Sequence, residues 1–119
     1  MIDHVNLSVS DLAASRSFYE KALEPLGITV LSDYSAAVGL GTGGDDFLWL
    51  VERSPVSQNV HLAFGCEDRA VVDRFHEAAL AAGGSDNGAP GLRETYHPNY
   101  YGAFVLDPDG NNIEAVCHQ

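Results

Sequence analysis

The chain has 119 residues, enough for one domain with a core of its own and too few for two independent ones. Six lysines and arginines against 17 aspartates and glutamates leave a net charge of −11, which repels phosphate backbones and anionic membranes and argues against nucleic acid as a partner. No run of about 18 apolar residues is present that could span a bilayer, so no membrane association is expected.

Ile2–Val9 alternates, with Val5, Leu7 and Val9 on one face and His4, Asn6 and Ser8 on the other, as in a half-buried strand. A basic, apolar leader is not evident, because the sequence turns polar and strand-like by Asp3. Asp11 is placed to cap a helix running to about Leu23, where Pro25 and Gly27 stop it. Residues 28–52 read as three short strands, ITVLSD, AAVGLG and DFLWLVE, broken by turns such as Gly41–Asp46. After the polar connector Ser54–Asn59, Val60–Cys66 reads as a strand and Asp68 caps a second helix to about Ala82, ended by Gly83 and Gly84. Residues 85–99, rich in Gly, Pro and Asn, form the longest irregular stretch, with a short strand around Leu92–Tyr96 as its one regular element. Tyr100–Leu106 and Asn111–His118 make a hairpin across Asp107-Pro108-Asp109-Gly110, where glycine supplies the positive φ that closes the turn. Cys66 and Cys117 both sit in strand-like runs and are too few for a disulfide scaffold, so a reduced, cytoplasmic protein is expected.

The two halves repeat. HVNLSVSDLAASRSFYEKAL (4–23) stands over HLAFGCEDRAVVDRFHEAAL (61–80) without a gap, and seven of twenty columns are identical, beginning with His4/His61. Repetition at this spacing means one supersecondary unit used twice. Each half is strand, helix and about three strands: a first module of about residues 1–53 and a second of about 59–119, sharing one α+β domain.

Strand parity then selects a face. His4 points away from Val5, Leu7 and Val9; His61 away from Val60, Leu62, Phe64 and Cys66; Glu114 away from Ile113, Ala115 and Cys117. If the helices cover the apolar face, these three project from the other one. Two imidazoles and a carboxylate are the ligand types of a divalent-metal site with positions open for substrate. Parity gives a face and not a distance. On the alternative reading, the histidines hydrogen-bond in a polar groove and Glu114 is solvated.

The segments HVNLSVSDLAASRSFYEKALEPLG, VHLAFG and FVLDPDGNNIEAV resemble the vicinal oxygen chelate superfamily, which includes glyoxalase I, fosfomycin and bleomycin resistance proteins and extradiol dioxygenases. The resemblance covers essentially the whole chain. It implies paired βαβββ modules forming a cupped mixed sheet with helices on the outer face, around a divalent metal (Fe, Mn, Ni, Zn or Co), often in a homodimer whose cups are completed across the interface. By match to the motif, His4, His61 and Glu114 correspond to family metal ligands. Matching the strand FLWLVE to the strand containing NNIEAV by strand position puts Trp49 where glyoxalase I has its fourth ligand, and Glu52 has the opposite parity. The set therefore resembles the two-His-one-carboxylate members, and glyoxalase I activity is disfavoured.

Further residues bear on a ligand. His97 is a candidate acid/base and Tyr101 a candidate donor to bound substrate, against a loop histidine and a sheet-edge aromatic. Tyr96 and Tyr100 read as sheet-edge cover, and His76 and His118 as structural or surface residues. Phe47 and Trp49 share a face and suit a planar ligand or the core equally. Arg93 is the one cation in the loop before the hairpin, a candidate partner for an anionic substrate or a solvated surface residue. Two functions compete: a metalloenzyme polarising a small oxygen-bearing substrate, and a bleomycin-resistance-like protein that sequesters an aromatic or cationic compound without chemistry. Three ligand-type residues on one face favour the enzyme.

Overall fold

In the computed structural model, which describes residues Met1–Gln119, the repeat in the sequence becomes a repeat of elements. The first half contains β1 (Val5–Val9), α1 (Leu12–Ala22), a 3-10 turn at Glu24–Leu26, β2 (Thr29–Asp33), β3 (Ala37–Thr42) and β4 (Asp45–Glu52). The second contains β5 (His61–Cys66), α2 (Arg69–Ala81), β6 (Ser85–Leu92), β7 (Tyr101–Leu106) and β8 (Asn112–Cys117). Each half folds into its own four-stranded sheet, ordered β1-β4-β3-β2 and β5-β8-β7-β6. The outer pairs β1/β4 and β5/β8 are parallel and the rest antiparallel, so both sheets are mixed.

Both helices begin on the expected aspartates. The Asp11 side chain accepts from the Ala14 N–H at 3.1 Å and that of Asp68 from the Ala70 N–H at 2.9 Å, satisfying donors that a first turn leaves orphaned. Glu52 at the end of β4 has a structural duty, its Oε1 accepting from the Leu12 N–H at 2.8 Å. Ser15, Phe18, Tyr19 and Ala22 recur at helical spacing on the buried stripe of α1, and Val72, Phe75 and Ala79 on that of α2. Each stripe covers the apolar row of its sheet. One cluster of 19 buried residues runs through both halves, from Leu7, Phe18 and Leu50 to Phe75, Val105 and Ile113.

A polar joint also fastens the halves together. Asp107, 6% exposed, accepts from the Tyr19 hydroxyl at 2.5 Å and from the N–H groups of Asp109 and Asn111 at 2.9 and 2.8 Å. A buried carboxylate is tolerated only when so satisfied. Around it, the Gly110 N–H donates to the Asp107 carbonyl at 2.9 Å, with Gly110 at φ 87° as the turn requires. On the same turn, the Asp109 carboxylate accepts from the N–H and hydroxyl of Ser10 at 3.2 and 2.5 Å.

One stretch departs from the sequence reading. Ser85–Leu92 is a full strand, β6, and the strand expected around Leu92–Tyr96 is absent. Gly88, Pro90 and Gly91 are poor strand formers, yet β7 supplies the ladder, and β6 lies at the sheet edge where a missing N–H is tolerated. Its register slips between Asp86 and Gly88 and again before Gly91. Past Leu92 the chain turns, the Tyr96 N–H donating to the Arg93 carbonyl at 2.9 Å.

Candidate functional site

Helices cover one face of each sheet, and the candidate side chains His61 and Glu114 stand on the other. On the second sheet, Ala63 of β5 is the register partner of Glu114 of β8, so His61, two residues earlier, reaches Glu114 on the diagonal. His61 Nε2 lies 2.7 Å from Glu114 Oε1. The His61 side chain is 52% exposed while that of Glu114 is 0% exposed. The other carboxylate oxygen, Oε2, accepts from the Tyr100 hydroxyl. Space for this carboxylate comes from Gly102, where an added Cβ would lie 3.1 Å from Glu114 Oε2. Phe104, register partner of Glu114 on β7, stands with its ring 5.9 Å from that of His61.

Burial, then the hydrogen bond to Glu114, pushes the Tyr100 hydroxyl well above the ordinary tyrosine range, so it stays a donor. Tyr100 also carries an aromatic cluster. The His97 and His118 rings stack at 4.6 Å and 24°, and each stands edge-on to Tyr100, at 5.5 and 5.3 Å. The Asn99 N–H donates to His97 Nδ1 at 3.0 Å, which puts the proton of a neutral His97 on Nε2, the nitrogen facing His118 Nδ1. Neutral His118 then carries its proton on Nε2.

On the first sheet, His4 precedes β1 with Nδ1 at 2.7 Å from Asp3 Oδ1. It borders a cavity of about 840 Å³ lined also by Asp45, Asp46, Phe47 and Trp49. Trp49 stacks on Tyr34, with centroids 6.2 Å apart and planes at 15°. Asp46 Oδ2 accepts from the Ser32 hydroxyl at 2.7 Å, whereas its Oδ1 is buried without a partner.

The structure thus pairs His61 with Glu114, links His97 and His118 to them only through Tyr100, and sets Phe47 and Trp49 beside His4. It does not bring His4 to His61 and Glu114. No three His, Cys, Asp or Glu side chains of the chain cluster closely enough to hold a metal ion. His61 and Glu114 fit a divalent metal as adjacent donors, and the chain alone supplies no third. Tyr101 faces the helix side. It is the register partner of buried Cys117, its hydroxyl donates to Asp73 at 2.6 Å, and Arg69 lies over its ring at 5.2 Å. That geometry removes it from the site. The sequence reading passed over Tyr100 and His118; parity could have placed them on this face, since Tyr100 alternates in step with Gly102 and Phe104, and His118 with Glu114. His76 is structural as read, paired with Asp86 at 2.9 Å.

Residues 1–115 match the family model described as Glyoxalase/Bleomycin resistance protein/Dioxygenase superfamily. Protein YqjT of Bacillus subtilis (strain 168) is 30% identical, with 96% of each chain covered. A glyoxalase/bleomycin resistance protein from Albidiferax ferrireducens T118 superposes with a TM-score of 0.81 at 28% identity, covering 98% of both chains. A glyoxalase I mutant from Zea mays gives a TM-score of 0.74 at 28% identity, with 97% of this chain covering 46% of that one. Two βαβββ modules, a fold shared with these structures, and a family match over nearly the whole length lead to one conclusion: the chain belongs to the glyoxalase/bleomycin resistance protein/dioxygenase superfamily.

Proposed function

We propose that the chain is a metal-dependent enzyme of the glyoxalase/dioxygenase type, acting on a small oxygen-bearing substrate. The observation that carries this reading is the His61–Glu114 pair: a fully buried carboxylate held between an imidazole at 2.7 Å and a tyrosine hydroxyl, facing away from the helices. Placing such a group out of water is costly, and a metal-binding role gives it a use. His61 and Glu114 would hold a divalent ion, with His4 as the third donor; because one chain keeps His4 apart, a second copy of the chain is the source that fits. When bound, such an ion supplies Lewis-acid polarisation of a substrate oxygen. The remaining work falls to this chain's own groups. Tyr100 fixes the orientation of Glu114, and Phe104 borders His61. His118, its tautomer set through His97, offers an N–H to a bound oxygen.

Metal analysis after loading with Fe, Mn, Ni, Zn or Co tests this directly. The wild type is expected to carry close to one ion per chain, and His61→Ala and Glu114→Ala to carry little. Equally little metal in all three would refute the enzyme reading. Tight binding that survives both substitutions would show the ligand assignment to be wrong.

One observation favours a second reading. The cavity beside His4 combines Trp49 and Phe47 with Asp3, Asp45 and Asp46 and has no lysine or arginine in its lining, a surface suited to an aromatic cation. Sequestration of such a compound without chemistry would need His4's cavity but neither His61 nor Glu114.

A further inference from the structure

Beside the His61–Glu114 pair stands one cation that nothing in the chain neutralises. Arg93 follows β6 and lays its guanidinium over Phe104, with Cζ 5.3 Å from the ring centre. Phe104 is the same residue whose ring lies 5.9 Å from that of His61 and whose register partner is Glu114. The Arg93 backbone is anchored by its N–H donating to the Tyr100 carbonyl at 2.7 Å. The side chain is anchored by Nη2 donating to the Ala89 carbonyl at 2.7 Å. The ion pairs of the chain engage Asp3, Asp33, Asp86 and Glu114, with His4, Arg16, His76 and His61 opposite them; Arg93 is in none. Most of the guanidinium's fork of donors is therefore unspent.

The room for this arrangement is built into the edge strand. A Cβ at Gly88 would come within 3.2 Å of Arg93 Nη2, and one at Gly91 within 3.1 Å of Nη1. The two glycines that make β6 so poor a strand in the sequence make a bed for the guanidinium. An arginine held over an aromatic ring, fastened at one nitrogen and free at the others, is preorganised to grip a planar carboxylate through two parallel hydrogen bonds.

We infer that Arg93 is a substrate-anchoring residue that takes a carboxylate group of the substrate beside His61 and Glu114. The inference deepens the metalloenzyme reading, and rests on it only for the presence of a reacting centre next to the anchor. The distribution of charge supports the assignment. On the first sheet the cavity beside His4 is lined by Asp3, Asp45 and Asp46 with no lysine or arginine side chain, so its carboxylates disfavour an anionic group there. On the second sheet Arg93 is the cation next to Phe104, whose ring also neighbours that of His61, and an anion held in contact with it is little screened at physiological salt.

The test uses metal-free wild-type protein titrated with benzoate and with its neutral isostere benzamide, followed by NMR of the arginine Nε–H groups and backbone amides. Benzoate is expected to shift the Arg93 Nε–H and the amides near Phe104 saturably, and benzamide to leave them in place. Arg93→Gln should weaken benzoate binding about tenfold or more, as loss of a charge-assisted contact implies. Arg93→Lys, which keeps the charge and loses the fork, should fall between. Benzoate and benzamide acting alike, or Arg93→Gln binding benzoate as wild type does, would overturn the inference. A purely structural arginine would show itself as altered stability with an unaltered benzoate constant. Metal loading on the same preparations separates the two readings. Metal uptake without a benzoate response overturns the carboxylate anchor alone, and a benzoate response without metal uptake supports the anchor while refuting the enzyme.

Discussion

Glu114 is the residue on which the site turns, because its carboxylate is fully buried and its two oxygens have one neighbour each, His61 and Tyr100. Removing the hydroxyl in Tyr100→Phe leaves Oε2 without a donor and frees the carboxylate to rotate. Outer hydrogen bonds of this kind typically govern metal affinity by about 10- to 100-fold. A drop in that range is expected for Tyr100→Phe in a competition titration with a chromogenic chelator, with the fold retained. An unchanged affinity would show that Tyr100 only packs. The residue scale is also where sequence reading was strongest and weakest. Parity put His61 and Glu114 on one face because both lie inside regular strands, where alternation is strict. It put His4 on a face too, but His4 precedes β1 and meets Asp3 instead. Tyr101 looked the more promising of the two tyrosines, and Tyr100 read as sheet-edge cover. One step of alternation separates them, and it sends one to Glu114 and the other to Asp73.

Among the elements, α1 and the β7–β8 turn meet through Tyr19 and Asp107. Burial, then the neighbouring Asp107 charge, raises the Tyr19 hydroxyl far above its ordinary value of 10.0. The folded state therefore keeps a proton that the unfolded chain releases near that value. The contribution of Tyr19 to stability is level below about pH 10 and falls as pH rises past it. Urea unfolding between pH 8 and 11 is expected to show this fall and to show it reduced in Tyr19→Phe. At neutral pH the same variant should cost about 1–3 kcal/mol, the penalty for depriving a buried carboxylate of one donor. A variant as stable as wild type, with an equal alkaline slope, would contradict the account. Helix ends were plain in the sequence because Asp11 and Asp68 announce them chemically. Strand β6 was not, because its existence depends on β7 offering a ladder and on no propensity of its own.

At the scale of the whole molecule, the separation of His4 from His61 and Glu114 makes a prediction about assembly. If two copies complete each other's sites under two-fold symmetry, His4→Ala and Glu114→Ala proteins, each unable to load metal alone, should complement one another. After mixing and subunit exchange, half the dimers are mixed and each holds one intact site, so about a quarter of wild-type metal content should return. Metal analysis and sedimentation of the exchanged mixture measure it. No recovery from a mixture shown to have exchanged would mean that each chain builds its site alone. The internal repeat made the modular plan readable, strand β6 excepted. It could not tell which half faces which, since two modules with the same buried stripe dock equally well by pattern.

The joint between Tyr19 and Asp107 bears on the ancestry of the chain. Two halves that still share seven of twenty columns over their first strand and helix have become chemically joined: the first owns a hydroxyl that the second needs, and the turn of the second holds Ser10 of the first. A gene encoding either half would yield a strand-helix unit with an apolar stripe uncovered, and the second would also carry a carboxylate lacking its donor. The duplication can be seen in the letters, but it can no longer be undone in the protein.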